Sequence, residues 1–165
     1  MADYTYTLIS PNDAYPPKYA AGMEYSIDFE FELSGALANA DTISTPAGAL
    51  PNEGIRIIDT LLVYPELDTN ATPTGTFDNG DADNAARFVD GAPMGVAGVT
   101  TAGFQLRQGI NIAQGKTDGV VTTGAGYLYP AGTDPVLVTT VTAAVATGAA
   151  SGTVRQRVIY SCSGE

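Results

Sequence analysis

Alternation of apolar and polar positions is cleanest between Met23 and Leu33. Tyr25, Ile27, Phe29, Phe31 and Leu33 recur at every second residue, with Glu24, Ser26, Asp28, Glu30 and Glu32 between them. A period of two puts the two sets on opposite faces of a β-strand, one for a core and one for water or a partner. The outward set is an acidic ladder with neighbours about 7 Å apart, whose repulsion cations on an adjacent strand would relieve. The pattern returns near the C-terminus, where Val154, Gln156, Val158 and Tyr160 share one side of a strand and Thr153, Arg155, Arg157 and Ile159 the other. If these two strands are antiparallel neighbours, both apolar faces point inward, and Arg155 and Arg157 share the outer face with Asp28, Glu30 and Glu32. The alternative is that the ladder meets a basic patch on another molecule.

The remaining pattern is that of a chain of strands. Val136–Val145 is an uncharged run of β-formers, and the small-residue turn TGAASG at Thr147–Gly152 joins it to the final strand, which predicts a long antiparallel hairpin. Ile55–Tyr64, IRIIDTLLVY, is apolar at both parities, as in a strand with both faces covered. Tyr4–Ile9 predicts a short strand. Ala82–Val89 is the one candidate helical turn, with Asp81 or Asp83 as its cap. Ser10–Gly22 holds Pro11, Pro16 and Pro17, which exclude helix and central strand. It reads as a loop or as an extended arm that offers Tyr15 and Tyr19 to a neighbour. About seven to nine short strands without strand–helix alternation predict an all-β fold, an antiparallel β-sandwich of jelly-roll-like form with at most one short helix. The domain reading is an N-terminal strand with a Pro-rich arm or loop over 1–22 and a single β-sandwich over 23–165.

Composition narrows the function. The 165 residues sum to a net charge of −11, which repels phosphate and argues against a nucleic-acid partner. There is no histidine and a single cysteine, Cys162, so no Ser–His or Cys–His pair, intrachain disulfide or thiolate cage can be assembled. Enzymatic activity and a cofactor are not expected. The opening MADYTY has neither a basic nor an apolar leader segment, and no apolar run approaches the length of a membrane span, so neither a signal peptide nor a membrane partner is expected. Asp78-Asn-Gly-Asp-Ala-Asp-Asn84 resembles a calcium loop through Asp78, Asp81 and Asp83. Its glycine comes too early, however, and Val89 stands where a bidentate glutamate belongs, so an Asx-turn is the better reading.

Several segments taken together resemble small virion proteins of tailed phages. These are Asp41–Ile43 (DTI), Leu50–Thr69 (LPNEGIRIIDTLLVYPELDT), the RFVDGA-like turn at Phe88–Ala92, and the small-residue turn and last strand over Thr147–Tyr160. The family implied is that of capsid cement or decoration proteins, β-sandwich subunits, often trimeric, bound to the outside of the head. The resemblance implies the major capsid protein as partner, a homo-oligomer, and a place on the outer capsid surface after synthesis in the bacterial cytoplasm. The alternative reading is a tail, fibre or head-spike component with a host-surface or glycan-binding sandwich. On the cement reading, Tyr15, Tyr19, Asp28, Glu30, Glu32, Arg155 and Arg157 are the candidate interface residues.

Overall fold

The alternating runs become strands, and their outward and inward faces are those the period assigns. The computed structural model describes residues 1–9, 23–98, 105–110, 115–117 and 120–162, and no helix occurs among them. The strands are β1 (Asp3–Thr5), β2 (Thr7–Leu8), β3 (Glu24–Leu33), β4 (Thr42–Ser44), β5 (Ile55–Pro65), β6 (Thr76–Gly80), β7 (Val89–Pro93), β8 (Gln105–Gln108), β9 (Gly115–Thr117), β10 (Val120–Thr123), β11 (Leu128–Tyr129), β12 (Val138–Ala143) and β13 (Gly152–Cys162). One sheet runs β1-β4-β12-β6-β7. The other runs β11-β5-β13-β3-β2, with β8 also paired to β5, and β9 and β10 form a separate two-stranded ribbon. Among the described strands all pairings are antiparallel except β1 with β4.

The two sheets close on a shared core. Tyr64 of β5 meets Phe77 of β6 edge-on at 5.2 Å between ring centres, and both are buried. Phe29, Ile43, Leu62, Leu137, Val154 and Val158 complete the centre. Burying such side chains stabilises by about 1.5–3 kcal/mol each and is what holds two sheets face to face. A polar relay crosses this core. The Tyr6 hydroxyl lies 3.0 Å from Thr139 Oγ1, Asn79 Nδ2 donates to Thr139 Oγ1, and Gln156 Nε2 donates to both Asn79 Oδ1 and Thr60 Oγ1. All five residues are buried. They pin β5 and β13 of one sheet to β6 and β12 of the other, and a slipped register would strand these groups without partners.

Three expectations change. The run Val136–Val145 and the last strand do not form a hairpin: β12 pairs with β4 and β6, whereas β13 lies in the opposite sheet between β3 and β5. The eight residues between them cross from sheet to sheet, because Asp68 captures the backbone of that crossover. Residues 82–88 make no helical turn. Asp81 Oδ1 accepts from the Asp83 and Asn84 amides, and this Asx-turn competes with helix. Tyr4–Ile9 splits at Tyr6 into β1 and β2, one in each sheet. A bulge is one cause of the doubly apolar pattern of β5, while Leu61 and Val63 remain as half-buried apolar positions on its outer face. Opposite β13 it carries one extra residue, Ile58, so the buried positions are Ile55 and Ile57 before this bulge and Thr60, Leu62 and Tyr64 after it. The expected arm at Ser10–Gly22, with Tyr15 and Tyr19, lies outside the described residues.

Candidate functional site

The loop that resembles a calcium site is built around a buried ion pair instead. β6 ends at Gly80, where an added Cβ would sit 1.9 Å from the Asn84 carbonyl oxygen, so only glycine lets the loop fold back this closely. Asp81 then points inward. Both its oxygens meet the Arg87 guanidinium, Nη2 donating to Oδ1 at 3.0 Å and Nε to Oδ2, and the Tyr129 hydroxyl donates to Oδ2 at 2.6 Å. Arg87 also donates to the Thr122 carbonyl, and its guanidinium lies 3.9 Å from the centre of the Tyr127 ring. Burial opposes the charge on Asp81, but Arg87 and the Tyr129 hydroxyl outweigh it and hold the carboxyl below its ordinary range. Burial and Asp81 together push the Tyr129 phenol up. Asp78 Oδ1 accepts from the Gly91 amide, and Asp83 is exposed. No cluster of three metal-ligating side chains occurs among the described residues. Calcium is expected to leave the melting temperature unchanged; a rise of several degrees would mean that a cation displaces Arg87.

Asp68 is a second buried carboxylate, and no cation pairs with it among the described residues. Its oxygens accept from the backbone amides of Thr74 (2.8 Å), Gly75 (2.9 Å), Thr147 (3.1 Å), Ala146 (3.2 Å) and Asn70 (3.3 Å). Burial by itself would raise its pKa, but the amides of Gly75, Thr74, Thr147 and Ala146 reverse this and bring it down to about 2. The Thr69 amide on the Thr147 carbonyl and the Ala149 amide on the Leu67 carbonyl complete the clasp. Cys162 is buried, and burial followed by the Glu53 charge pushes its thiol up, which makes it a poor nucleophile.

The outer face of the β3–β13–β5 sheet gathers most of the residues flagged in the sequence. Arg157 stands directly opposite Asp28, and Arg155 directly opposite Glu30. Arg157 Nε and Nη2 donate to the two oxygens of Asp28 at 2.7 and 3.0 Å, a bidentate pair, and the hydrogen bond to Asp28 followed by its charge pushes the Arg157 guanidinium up. Arg155 and Glu30 stand 3.6 Å apart, and Glu32 accepts from the Thr153 hydroxyl at 2.7 Å. Two of the ladder's carboxylates, Asp28 and Glu30, are thus paired with arginines within the chain. Because the Asp28–Arg157 pair is exposed, Arg157→Glu is expected to cost only about 0.5–1 kcal/mol, most of it recovered by adding Asp28→Arg. Equal melting of wild type and Arg157→Glu would leave the pair no part in stability.

Beside this pair the face dips into a groove of about 470 Å³. Leu61 and Val63 are among its apolar lining, Ile9 stands at it, and Arg107, Arg155 and Arg157 line its charged side together with one carboxylate, Asp28. Arg107 of β8 and Arg155 of β13 flank Val63 from the two neighbouring strands. Arg107 lies in a stretch whose pattern is too weak to assign a face from sequence. Asp68 and Arg87 carry no period either, although both fall in or beside the ELDT and RFVDGA phrases.

No protein-family model matches the sequence, and no curated protein is significantly similar to it. Among solved structures, one chain of the cyanophage Pam1 capsid asymmetric unit is similar over 92% of this chain and 93% of that one, with 26% identity and a TM-score of 0.60. A chain of the Ralstonia phage GP4 capsid is similar over 97% of both, with 21% identity and a TM-score of 0.59. This is a fold of phage capsids. The likeness runs essentially end to end and supports the resemblance to phage virion proteins carried by the sequence phrases; it does not favour a tail or glycan-binding module.

Proposed function

We propose that this chain is a structural virion protein that binds the outside of a phage capsid and stabilises it, a cement or decoration protein without catalytic activity. Its partner is the major capsid protein, and its assembled form is a closed homo-oligomer, a trimer. The observation that carries the reading is the near full-length likeness, at 26% identity, to a chain of the cyanophage Pam1 capsid. Charge supports the outer position: a chain of net charge −11 is repelled by packaged DNA on the inner side of a shell. Rigidity supports the cementing role, since a clamp must transmit load without yielding, and both the cross-core relay and the Asp68 clasp tie the two sheets to each other.

The test is to add purified chain to heads of the parent phage that lack it and to determine the particle by electron microscopy. Ordered density at repeated positions on the outer shell, in copy numbers close to those of the shell subunit, is the expected result, together with a higher temperature for DNA release. Density confined to the tail or to a few dozen copies sinks the reading. Light scattering of the free protein is expected to give three chain masses; a single chain mass confines trimer formation to the capsid surface.

A further inference from the structure

We infer that the arginine-lined groove on the outer face of the β8–β5–β13 sheet is the docking site for the shell, and that it takes an extended, carboxylate-bearing segment of the capsid protein with an aliphatic side chain between its acidic groups. This rests on the proposed capsid-binding function and specifies the surface and the chemistry of the partner. In a chain with only seven Lys and Arg residues against eighteen Asp and Glu, three of the seven meet at this one groove. Cross-strand order places Arg107 and Arg155 on either side of Val63, and Arg157 beside Leu61. Like charges flanking one apolar residue repel, which weakens an isolated sheet unless something offsets them. Among the described residues, carboxylates do so for only part of the group. Asp28 grips Arg157 with two hydrogen bonds, whereas Glu30 holds Arg155 at 3.6 Å. The Arg107 side chain is exposed and makes no ion pair or hydrogen bond among the described residues.

The groove therefore combines unspent positive charge with a half-buried apolar floor, the pairing that recognises a short acidic segment carrying an aliphatic anchor. Asp28, gripped by Arg157, closes the groove on its β3 side, and Glu30 and Glu32 lie along the opposite half of the same face. They confine an acidic partner to the β5–β8 half and disfavour a long polyanion such as DNA laid across the sheet. A second copy of this chain docking through this same face would bring its own ladder face to face with this one.

The experiment is head binding by the full chain and by two charge reversals, Arg107→Glu and, away from the groove, Arg56→Glu. Arg107→Glu is expected to weaken binding at least tenfold at low salt, with the loss shrinking as salt rises and melting unchanged, while Arg56→Glu binds as wild type does. Equal binding by Arg107→Glu and wild type overturns the assignment, as does an equal loss in both variants, which would reflect overall charge alone. A change of oligomeric mass in Arg107→Glu makes the occupant a second copy and overturns it too. Failure of the unmutated chain to bind heads removes the capsid-binding function itself, and this docking site with it.

Discussion

Asp68→Asn is expected to lower the stability of this protein by about 3 kcal/mol or more and its melting temperature by about 10 °C. Five backbone amides converge on one buried carboxylate, three from residues 70–75 and two from the crossover between β12 and β13. An asparagine in the same place keeps one acceptor oxygen and turns an NH₂ group toward donors, so buried amides lose their partner, and each such loss costs about 1–3 kcal/mol. The same site sets an acid sensitivity. The folded pKa of about 2 lies below the ordinary 3.8, so the folded state holds fewer protons at this group than the unfolded chain. Its contribution is complete above pH 4 and is lost as pH falls through 2; the difference corresponds to about 2 kcal/mol. Urea unfolding at pH 7 and at pH 2–3 checks both statements. Wild type is expected to weaken steeply across that window, and Asp68→Asn to be weaker at pH 7 but flatter below it. A variant melting within 2 °C of wild type at pH 7 would show that the clasp contributes nothing.

Arg87→Met is expected to have an effect of similar size through a different cause. It keeps the volume and the stem of the side chain but leaves Asp81 charged and buried, with the Tyr129 hydroxyl and the amides of Asp83 and Asn84 as its remaining partners. Breaking one half of a buried ion pair costs about 3–5 kcal/mol, mostly through the charge left behind. Asp81→Asn in the same chain removes that charge, so the double variant is expected to recover a large part of the loss, which a double-mutant cycle measures. Arg87 also ties its loop to the next stretch: its side chain donates to the Thr122 carbonyl, and its carbonyl accepts from the Gly124 amide. Hydrogen exchange at Asp83, Asn84 and Gly124 is therefore expected to accelerate in Arg87→Met before global unfolding does. Uniform acceleration across the core would instead point to general destabilisation.

The proposed docking surface and the groups that stabilise the fold occupy separate places in this molecule. The buried carboxylates Asp68 and Asp81 serve the fold, and their hydrogen-bond partners leave them little capacity for a ligand. The outer sheet face is charged, partly apolar and stiffened from below by the cross-core relay, so it can accept a partner without rearranging. That division suits the proposed role of holding other chains together.

For β3 and β13 the linear pattern was enough to determine local conformation and facing. β3 and β13 follow their period of two residue by residue, and the inward-facing Gln156 was on the correct side although its buried partners could not be foreseen. The facing of Arg155 and Arg157 toward Asp28 and Glu30 followed as soon as these strands were neighbours, because side-chain parity and antiparallel pairing leave no other place for them. The tertiary structure alone decided which strands became neighbours. A turn rich in small residues permits a hairpin, but it equally permits a crossing between sheets, and the choice fell to a carboxylate seventy-eight residues upstream of the first crossover amide that it holds. The split of Tyr4–Ile9 between two sheets, the bulge at Ile58 and the Asp81–Arg87 pair share this origin. Each depends on contacts between distant segments, whose net free energy is settled by the whole packing of the core and leaves no period along the chain.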